Sequence, residues 1–167
     1  APPPPPSSAA PPAPPASEVT SCGLGSGVVW GLPEPILGLF GEGASFTSAA
    51  PSLRWLMLGG LAVYAGAPLL TAVVASGSSA AVLRIAAIGL VINLLGNSLL
   101  VPSMGIEGAA LATLATEVWV VAGAASTLVN MGARPTAPRR AWLWLGGPVG
   151  FALGYGLSLW ARSVLGG

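Results

Sequence analysis

The spacing of the charges constrains this chain more than any motif in it. Between Arg54 and Arg84 lie 29 uncharged residues, and between Arg84 and Glu107 another 22. Apolar runs of about 18 residues or more are long enough to cross the ~30 Å hydrocarbon core of a bilayer as helices. Within lipid no water satisfies the backbone, so each N–H and C=O must be paired inside the segment, and runs of this length do so as helix. The rest of the chain agrees: 7% of residues are charged and 53% hydrophobic, where a soluble domain carries roughly 25% charge. These patterns predict an all-α, polytopic transmembrane helix bundle of about four full spans plus a partial helix.

The spans are expected at about 53–75, 80–101, 106–129 and 141–164. Turn-forming residues punctuate them at Ser76-Gly77-Ser78-Ser79, at Pro102-Ser103-Met104-Gly105 and at Asn130-Met131-Gly132, and a basic loop from Arg134 to Arg140 precedes the last. At 1.5 Å per residue, a span of this length reaches about 34 Å. Ahead of them, Val28 to Phe40 reads as the tail of a helix interrupted by Pro33 and Pro35, too short to span unaided. Residues 1–20 form a separate segment, because nine of the seventeen prolines fall before residue 17 with only Ala and Ser between them. That composition is extended, polyproline-like or disordered. Residues 21–167 then make up the membrane bundle. The chain opens on Ala rather than Met, which suggests a fragment or a misassigned start.

Short connections make successive spans antiparallel, so the loops at 76–79 and 130–140 share one side of the membrane. That side carries Arg84, Arg134, Arg139 and Arg140, and the other only Arg54 and Arg162. The positive-inside rule then makes the first side cytoplasmic. Trp55, Trp142, Trp144 and Trp160 fall near span ends, where indoles favour the headgroup boundary, whereas Trp119 falls mid-span and does not fit that belt.

The alphabet excludes much chemistry. The sequence has no His, Lys or Asp and a single cysteine, Cys22. The common zinc sites, Ser-His and Cys-His pairs, a P-loop lysine and a Schiff-base lysine therefore cannot be built within this chain. We expect no enzyme activity, no catalytic residues, no metal and no cofactor. A net charge of +1 leaves no basic face for nucleic acid. The stretch Gly23-Leu24-Gly25-Ser26-Gly27 begins like a dinucleotide fingerprint, but Val28 stands where the third glycine belongs.

Glu117 is the sharpest single feature, a carboxylate near the middle of the third span. Such a residue is costly unless protonated, paired or hydrated, so it is expected to face inward. Thr113 and Ala109 precede it by one and two turns on the same stripe. Either it couples transport to a cation or proton or contacts a polar substrate, or it is a protonated group bonded to a neighbouring helix. Gly105, Gly108, Ala109, Ala112 and Thr116 give small-xxx-small spacings suited to a tight helix contact. Asn93 and Asn97 share one face of the second span, where they can bond across helices or line a polar cavity. Pro68 leaves the Tyr64 carbonyl without its helical donor and is a candidate kink or hinge. Arg54 and Arg84, near span ends, either snorkel to the interface or hold a lipid phosphate.

The order of local motifs resembles a known family. Pro35-Ile36-Leu37-Gly38-Leu39-Phe40-Gly41-Glu42-Gly43-Ala44, followed by Ala49-Ala50-Pro51-Ser52-Leu53-Arg54, is similar to the apolar-Phe-Gly loop and Leu-Arg helix start of polysaccharide flippases. Asn93-Leu94-Leu95-Gly96-Asn97-Ser98-Leu99-Leu100-Val101-Pro102, then Gly105-Ile106-Glu107-Gly108-Ala109-Ala110-Leu111-Ala112-Thr113 and Glu117, resembles their asparagine-containing helix, short turn and Gly-Ala-Ala-x-Ala-Thr helix. The resemblance covers about residues 33–133 and is to the bacterial O-antigen and exopolysaccharide flippases of the multidrug/oligosaccharidyl-lipid/polysaccharide exporter superfamily. It implies a C-terminal part of a multi-pass protein of the bacterial cytoplasmic membrane. Such a protein moves undecaprenyl-pyrophosphate-linked oligosaccharide to the outer leaflet, driven by an ion gradient. The implied partners are membrane lipids, the lipid-linked oligosaccharide, a missing N-terminal bundle and other polysaccharide-assembly membrane proteins. Two other readings stand beside it: a drug or cation antiporter of the same superfamily, and a structural membrane subunit whose polar residues serve packing.

Overall fold

A computed structural model describes residues 16–40, 44–132 and 141–165, with side chains over 20–40, 46–132 and 147–164. Helix is the regular structure throughout, and the described residues contain no strand. The elements are α1 (Ala16–Gly31), α2 (Pro33–Gly38), α3 (Ala44–Thr47), α4 (Ala50–Ala75), α5 (Ser79–Met104), α6 (Ile106–Asn130) and α7 (Ala141–Leu165).

Local sequence sets the breaks. Leu32 leaves the helical region, at φ −127° and ψ 47°, because a residue before proline avoids it, and Pro33 then opens α2 at its first turn. At the end of α4, Gly77 takes φ 79°, the left-handed conformation in which glycine closes a helix without a Cβ penalty. Gly105, at φ 58° and ψ −133°, reverses the chain between α5 and α6 in a single residue.

Three of these helices, α4, α5 and α6, are long and apolar enough to cross a membrane, which makes this a membrane protein. They pack as a trio with α6 at its centre. The α4 and α6 helices run parallel, since Gly59 faces Leu114, Gly66 faces Val121 and Ser76 reaches Met131. The α5 and α6 helices run antiparallel, with Ile85 against Gly123 and Leu100 against Gly108. Val73, Ala81 and Ala124 form a small buried core where α4 turns into α5, extended by Leu69, Leu70, Val82 and Leu128.

The expected boundaries shift in several places. The second span continues through Pro102 to Met104, so Gly105 and not Pro102 makes the turn. The first span starts at Ala50, with Pro51 in its first turn, and runs unbroken through Pro68 to Ala75. The fourth expected span is the helix α7, but it is not among the three of sufficient apolarity. Five glycines, Pro148 and Arg162 dilute it. The supposed helix tail from Val28 is the end of a longer helix, α1, which begins at Ala16, inside the segment that composition separates as residues 1–20. The polyproline-like reading of residues 1–15 and the basic loop from Arg134 to Arg140 lie outside the described residues.

The α1 helix packs along α7, parallel to it and at backbone distance. A Cβ placed on Gly27 would lie 2.8 Å from the Tyr155 nitrogen, and one on Gly154 would lie 2.9 Å from the Val28 nitrogen. The glycines read as the start of a dinucleotide fingerprint are thus helical residues, and Gly23 and Gly27 face α7 while Gly25 faces open space.

Candidate functional site

One end of the molecule gathers its polar and charged groups. The Arg54 Nη2 lies 3.1 Å from Glu34 Oε1, and the Arg162 Nη2 lies 3.1 Å from Glu34 Oε2. One carboxylate on α2 therefore bridges α4 and α7. Arg54 also donates through Nε to the Trp30 carbonyl at 3.2 Å. Beside it the Trp55 indole donates to Glu107 Oε1 at 3.1 Å, tying α4 to α6, and the Trp30 and Trp55 rings meet edge to face at 6.3 Å.

Next to this cluster a cleft of about 310 Å³ opens between α2, α4 and α6. Leu37, Leu53, Leu56, Ile106, Ala109 and Thr113 are among its lining residues. The Thr113 hydroxyl donates to the Ala109 carbonyl at 3.0 Å, which keeps its proton within the helix. Glu117 lies one turn beyond Thr113, three residues after Leu114 and four before Val121, on the same side of α6 as the residues that meet α4. It is partly buried, and among the described residues its carboxylate has no hydrogen-bond or ion-pair partner. Chemically, the arrangement offers an apolar slot with a carboxylate beyond its inner end and a guanidinium–carboxylate cluster beside it.

The other candidates fall elsewhere. Asn93 donates through Nδ2 to Thr116 Oγ1 at 3.3 Å, across the α5–α6 contact. Asn97 donates back to the Asn93 carbonyl at 2.8 Å and to its Oδ1 at 3.0 Å. Both lie on the α5 side of α6, so the structure does not bring them together with Thr113 and Glu117. Gly108 and Ala112 pack there too, against Leu100 and Gly96. Arg84 is exposed at the opposite end and donates through Nε to the Ala80 carbonyl at 3.3 Å. Pro68 lies within α4, one turn from Thr71, whose hydroxyl donates to the Ala67 carbonyl at 2.8 Å. Arg54 is engaged by Glu34 and Trp30, so a phosphate would meet a guanidinium that already has acceptors. No group of three or more His, Cys, Asp or Glu side chains that could hold a metal occurs among the described residues.

Sequence reasoning missed the role of Glu34, which fell without comment inside the expected proline-interrupted helix tail from Val28 to Phe40. It also missed the pairing of α1 with α7. The signal was present as Gly23-xxx-Gly27-xxx-Gly31 facing Gly150-xxx-Gly154-xxx-Ser158. Trp119, out of place in an interfacial belt, has a packing explanation: its indole donates to the Ile85 carbonyl at 3.0 Å and staples α6 to α5.

No protein-family model, curated protein or solved structure matches this chain.

Proposed function

We propose that this chain is part of a transporter that flips undecaprenyl-pyrophosphate-linked oligosaccharide across the bacterial cytoplasmic membrane for polysaccharide biosynthesis. It works against a second bundle, with the 130–140 loop cytoplasmic, and α7 crosses the membrane as a fourth full span. The order of the Asn-rich helix, the one-residue turn at Gly105 and the small-residue helix with its downstream acid supports this reading. The observation that carries it is the Glu117 carboxylate, partly buried and without a partner among the described residues, one turn beyond a cleft that opens between three helices. A carboxylate at that depth is costly in lipid, and protonation or cation binding during transport would relieve the cost.

A second reading, a structural membrane subunit, draws on Asn93, Asn97 and Trp119, all of which make contacts internal to the bundle. A photoreactive polyprenyl-pyrophosphate disaccharide separates the two when the chain is reconstituted in bacterial phospholipid vesicles. Transport predicts cross-links at Leu53, Leu56, Ala109 and Thr113 that an excess of unlabelled compound suppresses. Labelling spread over the outer face of α5 and insensitive to competitor would contradict it. In the full-length transporter, Glu117→Gln keeps size and hydrogen bonding but removes titration, and is expected to abolish gradient-driven export.

A further inference from the structure

Neither α1 nor α7 has the length and apolarity of a span: α1 has 16 residues, and α7 is rich in glycine. Their packing changes that assessment. A glycine exposes its peptide group, which is unfavourable against lipid, but Gly23, Gly27 and Gly31 on α1 and Gly147, Gly150 and Gly154 on α7 are all buried. Each turns its bare backbone onto the other helix, so that the poorly apolar faces cover one another and only the outward faces meet the surroundings.

The outward face of α7 is apolar, while α1 exposes Ser21, Leu24 and Gly25. On α7, Val149, Leu153, Leu157 and Val164 are all more than half exposed, and Ser158, the one serine at mid-helix, is fully buried with its hydroxyl on the Tyr155 carbonyl. Arg162 and Trp160 lie at the C-terminal end, at the level of Glu34, Arg54 and Trp55. The α1 helix itself, 16 residues from Ala16 to Gly31, climbs roughly 24 Å at 1.5 Å per residue, a few ångströms short of the ~30 Å thickness of a hydrocarbon core, a mismatch that local thinning of the bilayer accommodates. The pair is also held against a certain membrane helix: Trp30 touches Trp55 of α4 and its carbonyl accepts from Arg54.

We propose that α1 crosses the bilayer beside α7 as an additional span, the two helices forming one glycine-mated unit whose outer face is covered by bilayer lipid. Lipid is the occupant because the face continues the level of α4, α5 and α6 and has its charged residue only at the end. The start of α1 then lies on the same side as the Ser76–Ser79 turn, and α2, α3 and the Gly105 turn lie on the other. This inference rests on the membrane character of the trio and not on the transport reading.

Single cysteines in a Cys22→Ala background of the whole chain test it, using an impermeant maleimide on vesicles of one orientation. Ser17→Cys and Ser79→Cys are expected to react from one side, and Phe46→Cys, Ser103→Cys and Ser163→Cys from the other. Ser17→Cys reacting with the Phe46 and Ser103 group would overturn the crossing of α1, and Ser163→Cys reacting with Ser79 would overturn that of α7. A spin label at Leu153→Cys reads the occupant: lipid predicts faster relaxation with oxygen than with a water-soluble nickel chelate. Stronger relaxation by nickel, or dipolar broadening from a second copy, would overturn the lipid assignment.

Discussion

Two parallel helix pairs in this molecule are held together by opposite means. Between α4 and α6 the backbones stand further apart: a Cβ on Gly59 would sit 3.9 Å from the Leu114 Cα, and at Gly66 a Val121 methyl fills the gap. Between α1 and α7 the contact is backbone on backbone, with Gly27 against Phe151 and Tyr155 and Gly154 against Leu24 and Val28. The first kind of pairing leaves a strongly apolar sequence, and the second leaves a sequence diluted by glycine. Hydropathy detects lipid-facing surface, so it finds the first pair, while of the second the uncharged run marks only α7 and passes over α1.

The largest expected effect follows from breaking the backbone contact. Gly27→Leu has no room against the Phe151 and Tyr155 backbone, which cannot yield as a side chain can. Overpacking typically costs about 1–3 kcal/mol, and this variant should fall at or beyond the upper end, with α1 released from α7. Gly60→Leu, with open space around its Cβ, should change stability by less than ~0.5 kcal/mol. Reversible unfolding in mixed micelles checks both, and equal losses would contradict the division between the pairs.

A smaller effect is expected where the pair joins the trio. Glu34→Gln removes both ion pairs to Arg54 and Arg162, yet all three side chains are between a third and a half exposed. Each bridge should therefore contribute at most about 0.5–1 kcal/mol. The loss should shrink in 1 M salt, because screening already weakens the bridges in the unaltered protein. A salt-independent loss would mean that Glu34 acts through packing.

An effect of similar size should follow from Asn93→Ala within the trio. Interhelical hydrogen bonds in membranes average about 0.6 kcal/mol, so the lost bond to Thr116 contributes about that much, beside the loss of the acceptor for Asn97. A double-mutant cycle with Thr116→Val isolates it, and a coupling indistinguishable from zero would remove that bond from the α5–α6 contact.

How far the sequence could be read follows the same division. The runs flanking Arg84 locate α4 and α5, and the turn residues at 102–105 and 130–132 locate α6, each to within three residues at either end, because desolvation leaves those segments one secondary structure. Pro102 misplaced one end because α5 carries it within its last turn, as α4 carries Pro68. On the face of α6, Glu117 and Thr113 were legible by helical spacing as one stripe. That Asn93 and Asn97 lie across a different interface was not, because sequence spacing says which residues share a face but not which neighbour that face meets. Glu34 was hidden for a similar reason: Arg162 bonds to it from 128 positions away. Glycine was the most misleading residue, since the same spacing serves a phosphate loop, a turn or a close helix contact until a partner helix is known.

The most direct test of the account concerns the direction of α1 beside α7. Pairs of spin labels can be placed at exposed positions of the chain in liposomes, with Cys22 replaced by Ala: Pro35→Cys with Val164→Cys, and Pro35→Cys with Val149→Cys. Parallel pairing, with Glu34 held to Arg162, predicts a short distance for the first pair. The second should be longer by roughly 20 Å, the rise of fifteen helical residues. A shorter distance to position 149 than to position 164 would contradict the parallel pair and with it the division of the molecule into a glycine-mated pair and an apolar trio.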